Sequence, residues 1–180
     1  GAARRRLGVA HPSMQPDPRH AVLFAAGDPG GANAVLPVAV ELAARGGAVS
    51  ILDHGHLGRV APSGLCRVDP PAAGDGMAGW LAAHRVAAVC FGTSLADAVP
   101  LAVARAARAA GLPVGCVLDN WMNYRARLEV GGGDVLVPDL YAVMDDRARD
   151  EALAEGLPGG CLAVTGHPGL ASLAEDVEAA

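Results

Sequence analysis

No lysine occurs anywhere in the chain; all 14 basic residues are arginine. This follows from coding biased toward alanine, arginine and glycine rather than from function, and it leaves no phosphate loop ending in Gly-Lys-Ser/Thr. Aromatic residues are equally scarce, two each of Trp, Tyr and Phe, or 3% of 180 residues. With 52% hydrophobic side chains, the core must be built from Ala, Val and Leu, which demands close spacing of helix on sheet. Cysteine is limited to Cys66, Cys90, Cys116 and Cys161, far apart and without a C-x-x-C pair. Neither a zinc site nor a disulfide framework is indicated. Each cysteine lies in or beside an apolar run, as a small hydrophobe in a reducing, cytoplasmic setting would.

A net charge of −5 and the lack of any basic stripe interleaved with aromatics argue against a nucleic-acid partner. No stretch reaches the roughly 18–20 apolar residues that span a bilayer. Arg4, Arg5 and Arg6 are not followed by the apolar segment of an export signal.

What is present is a regular alternation. Residues 1–19, with Pro12, Pro16 and Pro18 and no periodicity, read as a disordered tail. From His20 onward, short apolar runs predict strands at 21–26, 48–52, 86–91, 114–118, 140–144 and 162–165, with a further short one at 65–68. Between them, Ala/Leu-rich stretches predict helices at 33–45, 77–84, 97–110, 147–155 and 170–178. The first of these has Val35, Val38, Ala39 and Leu42 on its buried face. Strands and helices in this order imply parallel βαβ units with right-handed crossovers. The expected fold is a single α/β domain over 20–180, a three-layer, doubly wound, mostly parallel Rossmann-like sheet.

In such a sheet, ligands bind outside the carboxyl ends of the strands, near the switch in strand order. Five segments qualify. Residues 27–33 (GDPGGAN) form a glycine-rich turn into a helix. There Gly27, Asp28, Gly30, Gly31 and Asn33 either cradle an anion on backbone amides or simply make a tight turn capped near Asn33. The segment fits neither G-x-G-x-x-G nor a phosphate loop, which disfavours a nicotinamide or ATP site. Residues 53–56 (DHGH) offer Asp53, His54 and His56 as acid, base or metal ligands, or as an ordinary polar loop; no third ligand at matching spacing marks a metal site. Residues 92–94 (GTS) precede a helix, and Ser94 with Asp97 has the Ser-x-x-acid form of a cap, which is compatible with Thr93 and Ser94 also holding ligand oxygens. Residues 119–124 (DNWMNY) gather Asp119, Asn120, Trp121, Asn123 and Tyr124 at one strand exit, with Arg127 just beyond. Asp119 and Asn120 are suited to reading hydroxyls, and Trp121 or Tyr124 to stacking on a sugar or base. Residues 166–168 (GHP) place His167 either toward the cleft or in solvent.

Taken together these segments resemble the N-terminal domain of GT-B glycosyltransferases and the related UDP-N-acetylglucosamine 2-epimerases. The resemblance rests on 92–94 (GTS), 118–124 (LDNWMNY), 143–145 (VMD), 155–157 (EGL) and 164–168 (VTGHP), and it runs from about His20 to the C-terminus. It implies a nucleotide-sugar or glycan ligand, used as substrate without a separate cofactor or metal. It also implies that the glycine-rich loop faces an interdomain cleft. Asp119 then stands where the epimerases carry an acidic active-site residue, and in a transferase it would be the general base for an acceptor hydroxyl. His167 joins it as a second catalytic candidate, Trp121 and Tyr124 shape the sugar pocket, and Arg127 neutralises phosphate. One departure is that the epimerases' His-Glu-Ala-Gly pattern is replaced by 118–121 (LDNW). Another is that both families use a second Rossmann-like domain, whereas this sequence stops at Ala180. The expectation is therefore either a piece of a longer enzyme of surface-carbohydrate biosynthesis, or a free-standing, non-catalytic binding module, with a homodimer covering the exposed cleft.

Overall fold

A computed structural model describes residues 20–72, 76–130 and 133–178; the expected tail at 1–19 lies outside them. The apolar runs become strands within a residue or two of expectation: β1 Ala21–Ala25, β2 Val49–Leu52, β3 Cys66–Val68, β4 Val86–Gly92, β5 Val114–Val117, β8 Leu140–Val143 and β9 Leu162–Val164. They form one parallel seven-stranded sheet in the order β3-β2-β1-β4-β5-β8-β9. The chain builds outward from β1 to β3 and then returns to lay β4 on the other side of β1. The switch point therefore falls between β1 and β4.

Successive residues of β1 and its exit enter opposite cores. Leu23 and Ala25 join the cluster that contains α3 Met77–Ala83, α4 Val99–Ala109 and α5 Asp146–Ala154 side chains, while Phe24 and Ala26 join that of α1 Pro29–Ala44 and α2 Gly55–Val60. The last helix, α6 Pro168–Glu178, lies against α1. This is the three-layer α/β architecture expected. No helix among the described residues is long and apolar enough to cross a membrane.

Helix α3 starts at Met77 as expected, but the starts of α1 and α4 differ from expectation, each for a local reason. Helix α1 begins at Pro29, not at 33, because Asp28 is its cap: Oδ1 accepts from the Gly31 amide at 2.7 Å, and Pro29 fits the first turn. Its buried face is Gly31, Ala32, Ala34, Val35 and Ala39, with Val38 and Leu42 only half-buried. The cause is the close packing of its first turn on β4, where a Cβ on Gly92 would come within 2.5 Å of the Gly31 carbonyl oxygen. Helix α4 begins at Val99, not at 97. Ser94 Oγ accepts the Ala96 and Asp97 amides, and Asp97 Oδ1 then accepts the Val99 amide at 2.9 Å. Helix α2 and a short hairpin were among the elements not expected. Helix α2 forms in the Gly/Pro-rich passage, its carboxyl end held by the Arg67 guanidinium on the Gly58 and Ala61 carbonyls. An antiparallel hairpin pairs β6 Glu129–Val130 with β7 Asp134–Val135.

Candidate functional site

The turn after β1 is the centre of the carboxyl edge, and two of its glycines have carboxylates resting on them. A Cβ on Gly27 would lie 1.6 Å from Asp97 Oδ2, and one on Gly30 would lie 2.0 Å from Asp119 Oδ2. Asp97 comes from the β4–α4 connection and Asp119 from the exit of β5, so the exits of β1, β4 and β5 meet here. The Gly31 amide, expected to hold an anion, is already taken by Asp28. Asp28 thus caps α1.

Asp119 is fixed from several directions. Oδ1 accepts from Arg127 Nη1 at 2.6 Å, in an ion pair whose side chains are 11% and 8% exposed. Thr93, itself buried, receives a second hydrogen bond from Arg127 Nη1 at 2.9 Å and donates to Asp119 Oδ1 at 3.4 Å. Arg127 Nε donates to the Met122 carbonyl at 3.0 Å, so the same guanidinium folds the loop back on itself. With Oδ1 engaged, Oδ2 is the oxygen left toward Gly30.

His167 closes the other side. Its Nδ1 accepts the Leu170 amide at 3.2 Å, which places the ring proton on Nε2, 3.3 Å from the Asp119 carbonyl to which it donates. His167 therefore caps α6 and braces the Asp119 backbone. Opposite it, Pro37 cannot donate to the Asn33 carbonyl, and Gly169 packs on that freed oxygen, where a Cβ would come within 2.6 Å. This contact fixes α6 across α1. Gly30, Asn33, Asp119 and His167 thereby line one groove of about 570 Å³ with Leu36 and Leu170. A second groove of about 670 Å³, between α1 and α6 around Glu41 and Arg45, lies away from the strand exits.

On the other flank of the turn, His54 at the exit of β2 meets Asp97, with Nε2 to Oδ2 at 2.6 Å. The sequence presents Asp97 only as part of a Ser-x-x-acid cap. Its one sequence signal was its place in a strand-to-helix connection at the carboxyl edge. His56 faces Arg59 instead, and among the described residues no three His, Cys, Asp or Glu side chains gather as a metal site.

Several expected site residues serve other ends. Tyr124 is 1% exposed, with its hydroxyl on Glu151 at 2.6 Å, so it offers no face for stacking. Arg127 is spent on Asp119 and Thr93 and is sealed from a ligand phosphate. Ser94 shapes the turn before α4. Trp121 is 41% exposed, but its indole is tied to Asp145, the cap of α5, at 2.8 Å. Asn120 and Asn123 are exposed, and Asn123 adopts φ +59, the left-handed conformation that turns the loop.

No protein-family model matches the chain, and no curated protein matches it in sequence. Solved structures do match. The UDP-GlcNAc 2-epimerase from Neisseria meningitidis bound to UDP-GlcNAc aligns with a TM-score of 0.62 at 16% identity, over 89% of this chain and 50% of that one. The UDP-GlcNAc 2-epimerase from Methanocaldococcus jannaschii gives 0.61 at 11% identity, over 87% and 48%. The UDP-N-acetylglucosamine 2-epimerase from Rickettsia bellii gives 0.57 at 16%, over 89% and 48%. At these identities the likeness is one of fold, and the chain spans about half the length of each. The resemblance drawn from the sequence motifs is borne out at that level.

Proposed function

We propose that this chain is a sugar-nucleotide-binding half-domain, related to the epimerases and GT-B transferases of carbohydrate biosynthesis, in which the Asp119 groove receives the sugar end of a nucleotide sugar. The observation that carries the reading is the fixed Asp119 carboxylate, held by Arg127 and Thr93 with Oδ2 toward a groove at the β1/β4 switch point. A preset acceptor in a half-enclosed groove recognises hydroxyls without reorganising. Asn33 and the Gly30 backbone supply further polar contacts, and Leu36 and Leu170 supply an apolar edge. His167 is a positioning residue here, since both ring nitrogens already serve the backbone. In a molecule completed by a second half, Asp119 Oδ2 is the group placed to take a proton from a hydroxyl. The reading assumes a cytoplasmic protein.

Calorimetric titration with UDP-, GDP- and CDP-sugars tests this. At least one should bind, and Asp119→Asn should weaken it about tenfold, the effect of one charge-assisted hydrogen bond. Absence of binding to all three would refute the reading. A second reading, binding or assembly without turnover, is favoured by the engagement of Asp119 Oδ1 and of both His167 nitrogens. It expects no hydrolysis of a bound sugar nucleotide, and measured turnover by the chain alone would eliminate it.

A further inference from the structure

The pair at the other end of the glycine turn is built rather than incidental. His54 leaves β2, Asp97 lies between β4 and α4, and Gly27 leaves β1, so the pair bridges both sides of the switch point. Asp97 is immobilised independently of His54. Its amide donates to Ser94 Oγ at 3.1 Å and its Oδ1 accepts the Val99 amide at 2.9 Å, which leaves Oδ2 for the imidazole. The missing side chain at Gly27 is what lets this carboxylate sit on the turn. Gly55, at φ +58, lets the next loop close on Gly27, and the His56 amide donates to the Gly27 carbonyl at 2.7 Å. The His54 side chain remains 27% exposed, and among the described residues its Nδ1 has no hydrogen-bond partner.

We propose that His54 and Asp97 form a hydroxyl-accepting dyad, in which Asp97 holds the proton on Nε2 so that Nδ1 presents its lone pair to a hydroxyl of the ligand lying along the Gly27–Gly30 turn. The inference rests on the sugar-nucleotide reading and adds a second contact to it. The ligand class is a polyhydroxylated one that spans the turn, with one hydroxyl on Asp119 and another on His54. A carboxylate can only accept, so it fixes the Nε2–H tautomer. A carboxamide in its place can donate to Nε2, which moves the proton to Nδ1 and turns the acceptor into a donor.

The test combines two readouts on the full chain with UDP-GlcNAc as the probe, after amide fingerprints have shown that the variants fold. Imidazole nitrogen NMR at about pH 8.5, above the ordinary histidine range, should find the His54 proton on Nε2 in the wild type and on Nδ1 in Asp97→Asn. Calorimetry should find binding weakened about tenfold by both Asp97→Asn and His54→Ala. A purely structural pair would change the NMR but not the affinity. If wild type binds, Asp119→Asn weakens it, and the two dyad variants bind like wild type, the dyad falls and the groove stands. A wild-type proton on Nδ1 overturns the dyad alone, whereas a wild type that binds no UDP-GlcNAc overturns the dyad and the reading beneath it.

Discussion

Cutting Arg127 back to alanine would leave the Asp119 carboxylate and the Thr93 hydroxyl beneath the turn without their shared donor. Breaking a buried ion pair from one side costs about 3–5 kcal/mol, and chemical denaturation of Arg127→Ala should show a loss of that size. A loss below about 1 kcal/mol would mean that the pair behaves like an exposed one. The cysteines give a second check at this scale. Burial pushes the Cys90 thiol up to about 12 and raises those of Cys116 and Cys161, whereas Cys66 is exposed on the edge strand β3. Alkylation of the folded protein near neutral pH should therefore mark Cys66 alone, as mass spectrometry of the digest would show; rapid labelling of Cys116 would contradict the packing. The sequence pointed to Asp119, Thr93 and Arg127 as separate ligand contacts. It did not show that they bind one another, nor that His54 meets Asp97, because contacts across 26 or 43 positions leave no local pattern.

Elements meet tightly where α1 crosses β4. Gly92→Ala would drive a Cβ into the Gly31 backbone, which cannot rotate away as a side chain can. A cost of roughly 1–3 kcal/mol is expected from such overpacking, read as a lower denaturant midpoint with an unchanged slope. Helix α5 holds the loop that carries Asp119. The Trp121 indole reaches Asp145, the Tyr124 hydroxyl reaches Glu151, and the Arg125 amide reaches Glu155. The Tyr124 hydroxyl and then Arg147 hold the Glu151 carboxyl below its ordinary value of 4.5, and the Ala148 amide and then the Trp121 indole do the same for Asp145, ordinarily 3.8. A carboxyl lowered by folding adds stability that is fully present above its ordinary value and is lost as pH falls through the folded one. Stability should therefore decline below pH 4.5, and Glu151→Gln should flatten that decline in urea titrations at stepped pH. An identical acid dependence in the variant would show that the staple carries none of it. Strands were legible because burial on both faces writes itself as an unbroken apolar run. Helix starts were less so, since Asp28 and Asn33 are both cap-forming residue types, and Ser94 and Asp97 together shape the turn before α4. Helix α2 and the β6–β7 hairpin escaped because elements of six and two residues are too short to carry a measurable period.

At the scale of the whole molecule, the order β3-β2-β1-β4-β5-β8-β9 decides where ligand chemistry can occur. It brings Gly27, Gly30, Asp97 and Asp119 together at one edge although they are spread over the chain, and it leaves the cysteines and both tyrosines in or beside the layers behind. Fold class was fully readable from the alternation of runs; the identity of the groove was readable only as the edge on which it would lie. Amide chemical-shift mapping during titration with UDP-GlcNAc tests the central placement most directly. The expected result is saturable change at Gly30, Asn33, Asp119 and His167, with the turns at Gly46 and Gly111, near the opposite ends of the strands, unmoved. Shifts concentrated at those opposite turns, or none at any concentration, would contradict it.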